Sequence, residues 1–520
     1  METVAVISES LRDSKFTLSL TCLFAAVIWY VNSRKATIYD AFPRVADKGI
    51  RSITKSTEKP FTVRWWGKDF LILPPKYLPS LRDAEWAHLS FFRTISDAFF
   101  LHTSVGDLYD SNATVQVVRN GLNPRMPQFT SIVGNEIEYA LKAELREEAG
   151  RRNEKHTPSG GNRLNSAIEG EIRNAQSFLT AIVHRSATRI LIGEELCRNE
   201  DFILISRDFV MSIFTTALII VKLPLGPLRE WFAYPLTTWH RRKLAQCTSM
   251  LLPVLQKRIE ERGRHQGPQG SLDAIEWSLN HYATATEIDM QRLAAELMHN
   301  LWAGTSAPGG LVTDIIFQLL LEPKYKEPLL KEAAESLGHS GRWTEKALSS
   351  LPLLDSFIRE VNRLYPTGSI TCSRTVLDRA YVFPDGLTLP AGTRFGFPTK
   401  AMQNDADLTF DGFRFAKPHA VQERGEEDAG ASGRATAMST TNLAWGYGTH
   451  VCPGRFFAVR MVKMVVVTLL LNYDIQWDGH VDRRPAPTMI EGQFIPNLFQ
   501  KIRITRRRSH LAWEQLKLGG

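Results

Sequence analysis

Hydrophobic and polar positions change period twice along the chain. Residues 61–73, FTVRWWGKDFLIL, read as two short strands joined by a turn at Trp66, Gly67, Lys68 and Asp69. Beyond Pro74 and Pro75 the spacing turns helical, predicting helices over 167–191, 202–222, 238–263, 285–321, 345–364 and 454–472. Strands return over 380–397, around the turns Pro384-Asp385-Gly386 and Pro390-Ala391-Gly392. Two polar interruptions, 150–165 and 421–441, read as exposed loops. With no internal repeat and no Pro/Ser-rich linker, residues 61–520 are expected to form a single large, mainly α domain with small β-sheets.

One segment differs from this body. Residues 16–31, FTLSLTCLFAAVIWYV, carry no charge, and at 1.5 Å per residue they reach roughly 24 Å, somewhat short of a ~30 Å hydrocarbon core. Arg34, Lys35, Arg44, Lys48, Arg51 and Lys55 follow the stretch, while only Arg12 and Lys15 precede it. That asymmetry predicts a lumenal N-terminus over 1–15, a single transmembrane anchor, a basic and Pro-containing linker over 32–60, and a cytosolic body. A cleaved leader and a buried helix compete with the anchor; the first lacks an evident cleavage site, and the second is opposed by the basic stretch and by Pro43.

Composition adds exclusions. The chain has 520 residues, 43% hydrophobic and 23% charged, which argues against a disordered or multi-span membrane protein. A net charge of +8 permits an anionic membrane or an acidic partner. No base-stacking or groove-binding motif accompanies it, so no nucleic-acid partner is expected. Cys22, Cys197, Cys247, Cys372 and Cys452 stand singly, without the paired spacing of a zinc ribbon or a c-type haem attachment.

The densest chemical signal is residues 445–458, WGYGTHVCPGRFFA, where three glycines surround Cys452 just ahead of an apolar helix. Unpaired amides at a helix mouth stabilise a thiolate, and glycines let backbone close against a flat ring system. Alone, such a cysteine more often reads as a small buried core residue. The segment resembles the cysteine-ligand loop of the cytochrome P-450 family through Trp445, Gly446, Gly448, His450, Cys452 and Gly454. Trp445 replaces the usual Phe, and His450 stands where Arg is commoner, as in fungal members. The resemblance implies the P-450 fold, haem b with Cys452 as axial iron ligand, and His450 near a haem propionate. A thiolate in that position pushes electron density onto the iron and favours O–O cleavage.

Other motifs extend the resemblance over nearly the whole chain. Glu360 and Arg363 in FIREVNRLYP share a helix face. With Arg414 in DGFRF they match the family's structural clasp, in which one carboxylate serves two guanidinium groups. Arg374 in TCSRT falls where family members place another propionate-binding Arg. RILIGEELCRN, residues 189–199, also looks like a fungal-member motif, with Cys197 read as core.

The oxygen-activating helix is the departure. The family commonly carries an acid followed by an alcohol there, whereas this chain reads Ala303-Gly304-Thr305-Ser306-Ala307-Pro308-Gly309, with Ser306 at the acidic position and Ala307 at the alcohol position. A register one residue different would put Ser306 at the alcohol position. Pro308 lacks an N–H and its ring pushes out the Gly304 carbonyl. Gly304, Thr305, Ser306 and Pro308 are therefore the expected catalytic set: a kinked helix, space beside Gly304, and a water held by its carbonyl with Ser306 or Thr305. His299 and Asn300, one turn earlier, are candidates to bind a polar substrate group, and residues 218–236 could dip into a membrane.

By resemblance, the chain is expected to be an endoplasmic reticulum monooxygenase oxidising a lipophilic small molecule in fungal secondary metabolism. Electrons would come from NADPH through a flavoprotein reductase, with Arg455, Arg460 and Lys463 offered to that partner. Hydroxylation, desaturation and ring rearrangement stay open. The alternative, suggested by Ala307, is a haem-thiolate isomerase or dehydratase needing neither oxygen nor NADPH; a membrane haem sensor or carrier is a third reading.

Overall fold

The computed structural model describes residues 37–44, 58–145, 170–264, 270–283, 288–338, 341–404, 409–416 and 433–507. The expected anchor over 16–31, the loop over 150–165 and most of the loop over 421–441 lie outside the described residues.

The front of the chain forms β1 (Phe61–Trp65) and β2 (Lys68–Ile72), paired antiparallel with Trp65 opposite Lys68. The turn is tighter than predicted: Trp66 and Gly67 alone make it, with φ of 49° and 70°. Two consecutive positive φ values match the right-handed twist of the strands, so Lys68 and Asp69 remain in the ladder. A side chain on Gly67 would also meet Arg229 at 2.3 Å.

β3 (Leu89–Ser90) leads into α1 (Phe91–Phe99), and α2 spans Asn123–Glu144. The helix expected from 167 starts later. Glu171–Asn174 instead forms β4, because the distant segment 501–504 supplies its backbone partners, and Asn174 then caps α3 (Ala175–Leu191) by accepting from Ser177 N–H at 2.9 Å. α4 (Glu200–Lys222), capped by Asn199, is followed by α5 (Arg229–Leu236) and α6 (Thr238–Arg264). Asp289 caps α7 (Met290–Leu321), the 32-residue helix on which the site is built.

The helix expected over 345–364 is two. Glu345–Ser349 ends before Leu351, and α8 (Pro352–Leu364) begins with Pro at its first position, where no amide is needed. The carboxylate of Glu332 accepts from the free amides of Leu353 and Leu354 at 2.6 and 2.9 Å. β5 (Thr371–Val376) and β6 (Arg394–Phe397) complete a five-stranded sheet in the order β1-β2-β6-β5-β3. α9 (Arg455–Asn472) runs into β7 (Tyr473–Trp477), which pairs with the last strand, Lys501–Arg506. Between them Thr488–Ile490 and Gln493–Ile495 form a short hairpin.

The core is helical. α7 packs on α3, α6 and α9, and its glycines set the spacing: a Cβ on Gly309 would lie 2.9 Å from Thr180 Cα. Among the described residues one helix, Glu200–Lys222, is long and apolar enough to cross a membrane, and half of its apolar stretch is buried in the fold.

Candidate active site

Cys452 sits in a loop closed by its own amide, which donates to Trp445 O at 2.8 Å, two residues ahead of the mouth of α9. Gly446 and Gly448 take φ of 79° and 72°. At Gly448 glycine is obligatory, since a Cβ would fall 1.9 Å from Leu81 O. Trp445 is half-buried and donates from Nε1 to Ala435 O at 2.7 Å, while no protein atom lies within 4 Å of a Cβ built on Gly454. Burial pushes the Cys452 thiol up; amide hydrogen bonds from Gly454 and Arg455 and the Arg455 charge pull the other way. The residue lies deep in the protein yet keeps accessible surface, so it borders internal space.

Two basic side chains stand beside this loop. Arg374 is 2% exposed, and its guanidinium donates to the carbonyls of Ser373 and Tyr447 at 2.8 and 3.0 Å. Among the described residues no carboxylate pairs with it, and burial pushes its pKa down to about 10. His450 is buried under the stacked ring of Trp86, 3.7 Å away, with Nε2 against Trp86 O at 3.1 Å. Its Nδ1 is buried without a hydrogen-bond partner, and desolvation pushes its pKa down to about 3.

Glu360, Arg363 and Arg414 are brought together. Glu360 is fully buried and accepts from Arg363 Nε and Nη2, both at 2.8 Å, from Arg414 Nε at 3.3 Å and from the Asp411 amide at 3.1 Å. The clasp joins α8 to the segment 409–416, and Phe415 N–H adds a bond to Ser356 Oγ at 2.9 Å.

Across the core, α7 presents an unusual face. Ala303 and Ala307, one turn apart, are exposed in the middle of a helix whose other sides are buried. Ala307, not Ser306, therefore shares the open face with Ala303. Ser306 is half-buried at its edge. Two expectations change here. Thr305 is fully buried on the opposite side and donates to Leu301 O at 2.8 Å, so it is turned away from the opening. Gly304 makes room for α3, not for a small ligand: a Cβ there would meet Leu191 Cδ1 at 2.6 Å. The helix runs on through the buried Pro308, which offers no amide to the Gly304 carbonyl.

A further correction concerns surface charge. Arg460 is committed to Glu345, at 2.7 Å between Nη2 and Oε2, and the buried Lys463 to Asp355 at 2.7 Å and Leu348 O. Neither is free for a docking partner. Arg455 donates to Cys452 O at 3.0 Å. Cys197 is buried, as core.

Comparison with known proteins decides the family. The cytochrome P450 family model matches residues 163–497, more than half of the chain. The chain belongs to the cytochrome P450 family. It is 33% identical to the cytochrome P450 monooxygenase sirB of Leptosphaeria maculans over 88% of this chain and 85% of that protein, and 27% identical to ent-kaurene oxidase P450-4 of Gibberella fujikuroi, over 86% and 85%. Retinoic acid-bound cyanobacterial CYP120A1 has the same fold, with a TM-score of 0.61 at 14% identity over 86% of this chain and 92% of that one.

Haem b is the cofactor of cytochrome P450 monooxygenases, and the residues present fit it. The buried Arg374 guanidinium, with no carboxylate among the described residues, would be satisfied by a carboxylate-bearing ring, and His450 Nδ1, a bare lone pair while Nε2 donates to Trp86 O, would meet the same group once protonated. Sequence reading missed the supports of this P450 loop: Trp86 on His450, Arg119 donating to Thr449 O at 3.3 Å, and Asn123 donating to Pro453 O at 3.0 Å. No local signal marks them, because each is far from the loop along the chain.

Proposed function

We propose that this P450 is a membrane-held monooxygenase of fungal secondary metabolism that oxidises a hydrophobic small molecule with electrons from NADPH, passed by a flavoprotein reductase. The observation that carries the reading is the Cys452 thiol at the mouth of α9, bordering internal space, where the backbone of Gly454 and Arg455 opposes the rise in pKa that burial brings. Cys452 would ligate the iron as thiolate, Arg374 and His450 would hold the propionates, and the Glu360–Arg363–Arg414 clasp would keep the loop in place. When bound, haem supplies reductive activation of dioxygen. The alanine face of α7 excludes side-chain bulk from the distal space. Pro308 leaves the Gly304 carbonyl without its helical donor, so that carbonyl with the Ser306 hydroxyl can hold a water as proton source.

The printed names of relatives support the setting: cytochrome P450 monooxygenases sirB and ccsG, the latter from Aspergillus clavatus, and ent-kaurene oxidases. Trp231 is 83% exposed, with Leu228, Phe232, Tyr234 and Trp239 also exposed around α5. An apolar, aromatic surface of this kind supports contact with the endoplasmic reticulum membrane, in addition to the anchor expected from the sequence of residues 16–31. The test is spectral and chemical. Reduced protein with carbon monoxide should show the red-shifted band of thiolate-ligated haem, lost in Cys452→Ala, and a strain lacking the protein should accumulate a less oxidised metabolite. A normal band with an unchanged metabolite profile would remove the assigned role.

A second reading, a haem-thiolate isomerase or dehydratase, is favoured by Ala307 on the open face, at the position where the family commonly carries an alcohol. Product formation without oxygen or NADPH would establish it.

A further inference from the structure

Three of the buried histidines, His184, His240 and His299, divide into two kinds; His450 of the cysteine loop also keeps one unpartnered nitrogen among the described residues. His184 meets Ser206 Oγ at 2.8 Å, and His240 is held between Ser212 at 3.1 Å and Ser104 at 3.2 Å. His299 is 2% exposed and different. Its Nδ1 lies 2.8 Å from Ala295 O, a pure acceptor, so Nδ1 carries the proton. Nε2 is therefore a bare lone pair; it has no partner among the described residues and is enclosed by its neighbours, so a donor reaches it only as one of the surrounding rings turns aside. Desolvation lowers the imidazole pKa to about 4, which keeps the ring neutral.

Three rings stand nearly perpendicular to this imidazole: Tyr109, Phe209 and Trp302, with centroids at 5.6, 5.5 and 6.2 Å. Phe99 and Phe214 extend the aromatic wall through Trp302. The Tyr109 ring lies deep in the protein but keeps accessible surface, so it borders internal space, and its hydroxyl forms no hydrogen bond among the described residues. One turn along α7 from His299 is Ala303, on the open face. A buried acceptor left unsatisfied is costly, whereas one matched by a ligand donor gives selectivity.

We infer that His299 Nε2 is the polar anchor of the substrate pocket, accepting a hydrogen bond from an O–H or N–H group on a neutral, ring-bearing substrate while Tyr109 and Trp302 flank its rings. The inference rests on the monooxygenase reading above, which makes the space beside α7 the substrate pocket. A carboxylate substrate offers the lone pair no donor. A hydroxyl matches both the acceptor of His299 and the donor of Tyr109.

Calorimetric titration of the full-length, haem-loaded protein in detergent tests this with 2-naphthol and 2-methoxynaphthalene, which share a ring system and differ in the donor. The ether is more apolar, so a pocket without an anchor favours it. The wild type should prefer 2-naphthol by about tenfold, the worth of one hydrogen bond of roughly 1.4 kcal/mol. His299→Phe and His299→Leu should abolish the preference, and His299→Gln, which keeps an acceptor, should retain part of it. No preference in the wild type, from equal binding or from none, would overturn the assignment, as would a preference surviving either apolar variant. The carbon monoxide band is read on every preparation: its absence from the wild type counts against the haem-thiolate reading, whereas the binding ratio reports on His299 alone.

Discussion

The two sides of the space between α7 and α9 are built on opposite principles. On the cysteine side, backbone and charge are over-determined: Glu360 takes two guanidinium groups and an amide, Gly448 presses on Leu81, and Trp86 covers His450. On the α7 side, Ala303 and Ala307 face the opening with methyl groups, and the nearby Thr305 hydroxyl is spent on its own helix. Rigidity is invested where a ligand must be gripped, and emptiness where a substrate must enter.

Substitutions should separate these principles. Cys452→Ala removes the sole thiol of the loop, and complete loss of the thiolate-type carbon monoxide band with retained helical circular dichroism is expected. A surviving band would end the contrast. Glu360→Ala leaves two guanidinium groups facing an apolar gap, which should cost about 3–5 kcal/mol in urea unfolding. Arg414→Ala should cost less, because that group is 3.3 Å away and partly exposed. Gly448→Ala forces a Cβ against a backbone oxygen in left-handed conformation, and a penalty of about 1–3 kcal/mol from overpacking is expected, with weaker haem retention.

Changes on the α7 side should leave stability nearly intact and move chemistry instead. Ala307→Thr adds an alcohol to the open face; product formed per NADPH should rise several-fold if proton supply limits, and an unchanged ratio would show that the alanine is no defect. The smallest effect is expected for Pro308→Ala, which restores an amide donor to the Gly304 carbonyl. A modest rise in peroxide release at unchanged melting temperature would tie that carbonyl to proton supply.

Legibility in sequence follows the same division. The cysteine loop is contiguous, and Glu360 and Arg363 are one helical turn apart, so local patterns and a family resemblance sufficed to select them. Trp86, Arg119 and Asn123 reach the loop only after the chain has folded back. The β4 strand has a helical look in sequence because its partner lies at the far end of the chain, and apolar periodicity on both sides masks the break before Pro352. A glycine in sequence says that room is needed without saying for what, and at Gly304 the occupant is Leu191, not open space. Arg460 and Lys463 looked like free surface charge because their carboxylates, Glu345 and Asp355, belong to other helices.

The lone guanidinium of Arg374 has a practical corollary for anyone producing this protein. A cation walled off from water with only carbonyls for company is a fault that the polypeptide cannot repair by itself. Porphyrin supply during expression should therefore govern soluble yield, and cells fed a haem precursor should return more intact material than starved ones.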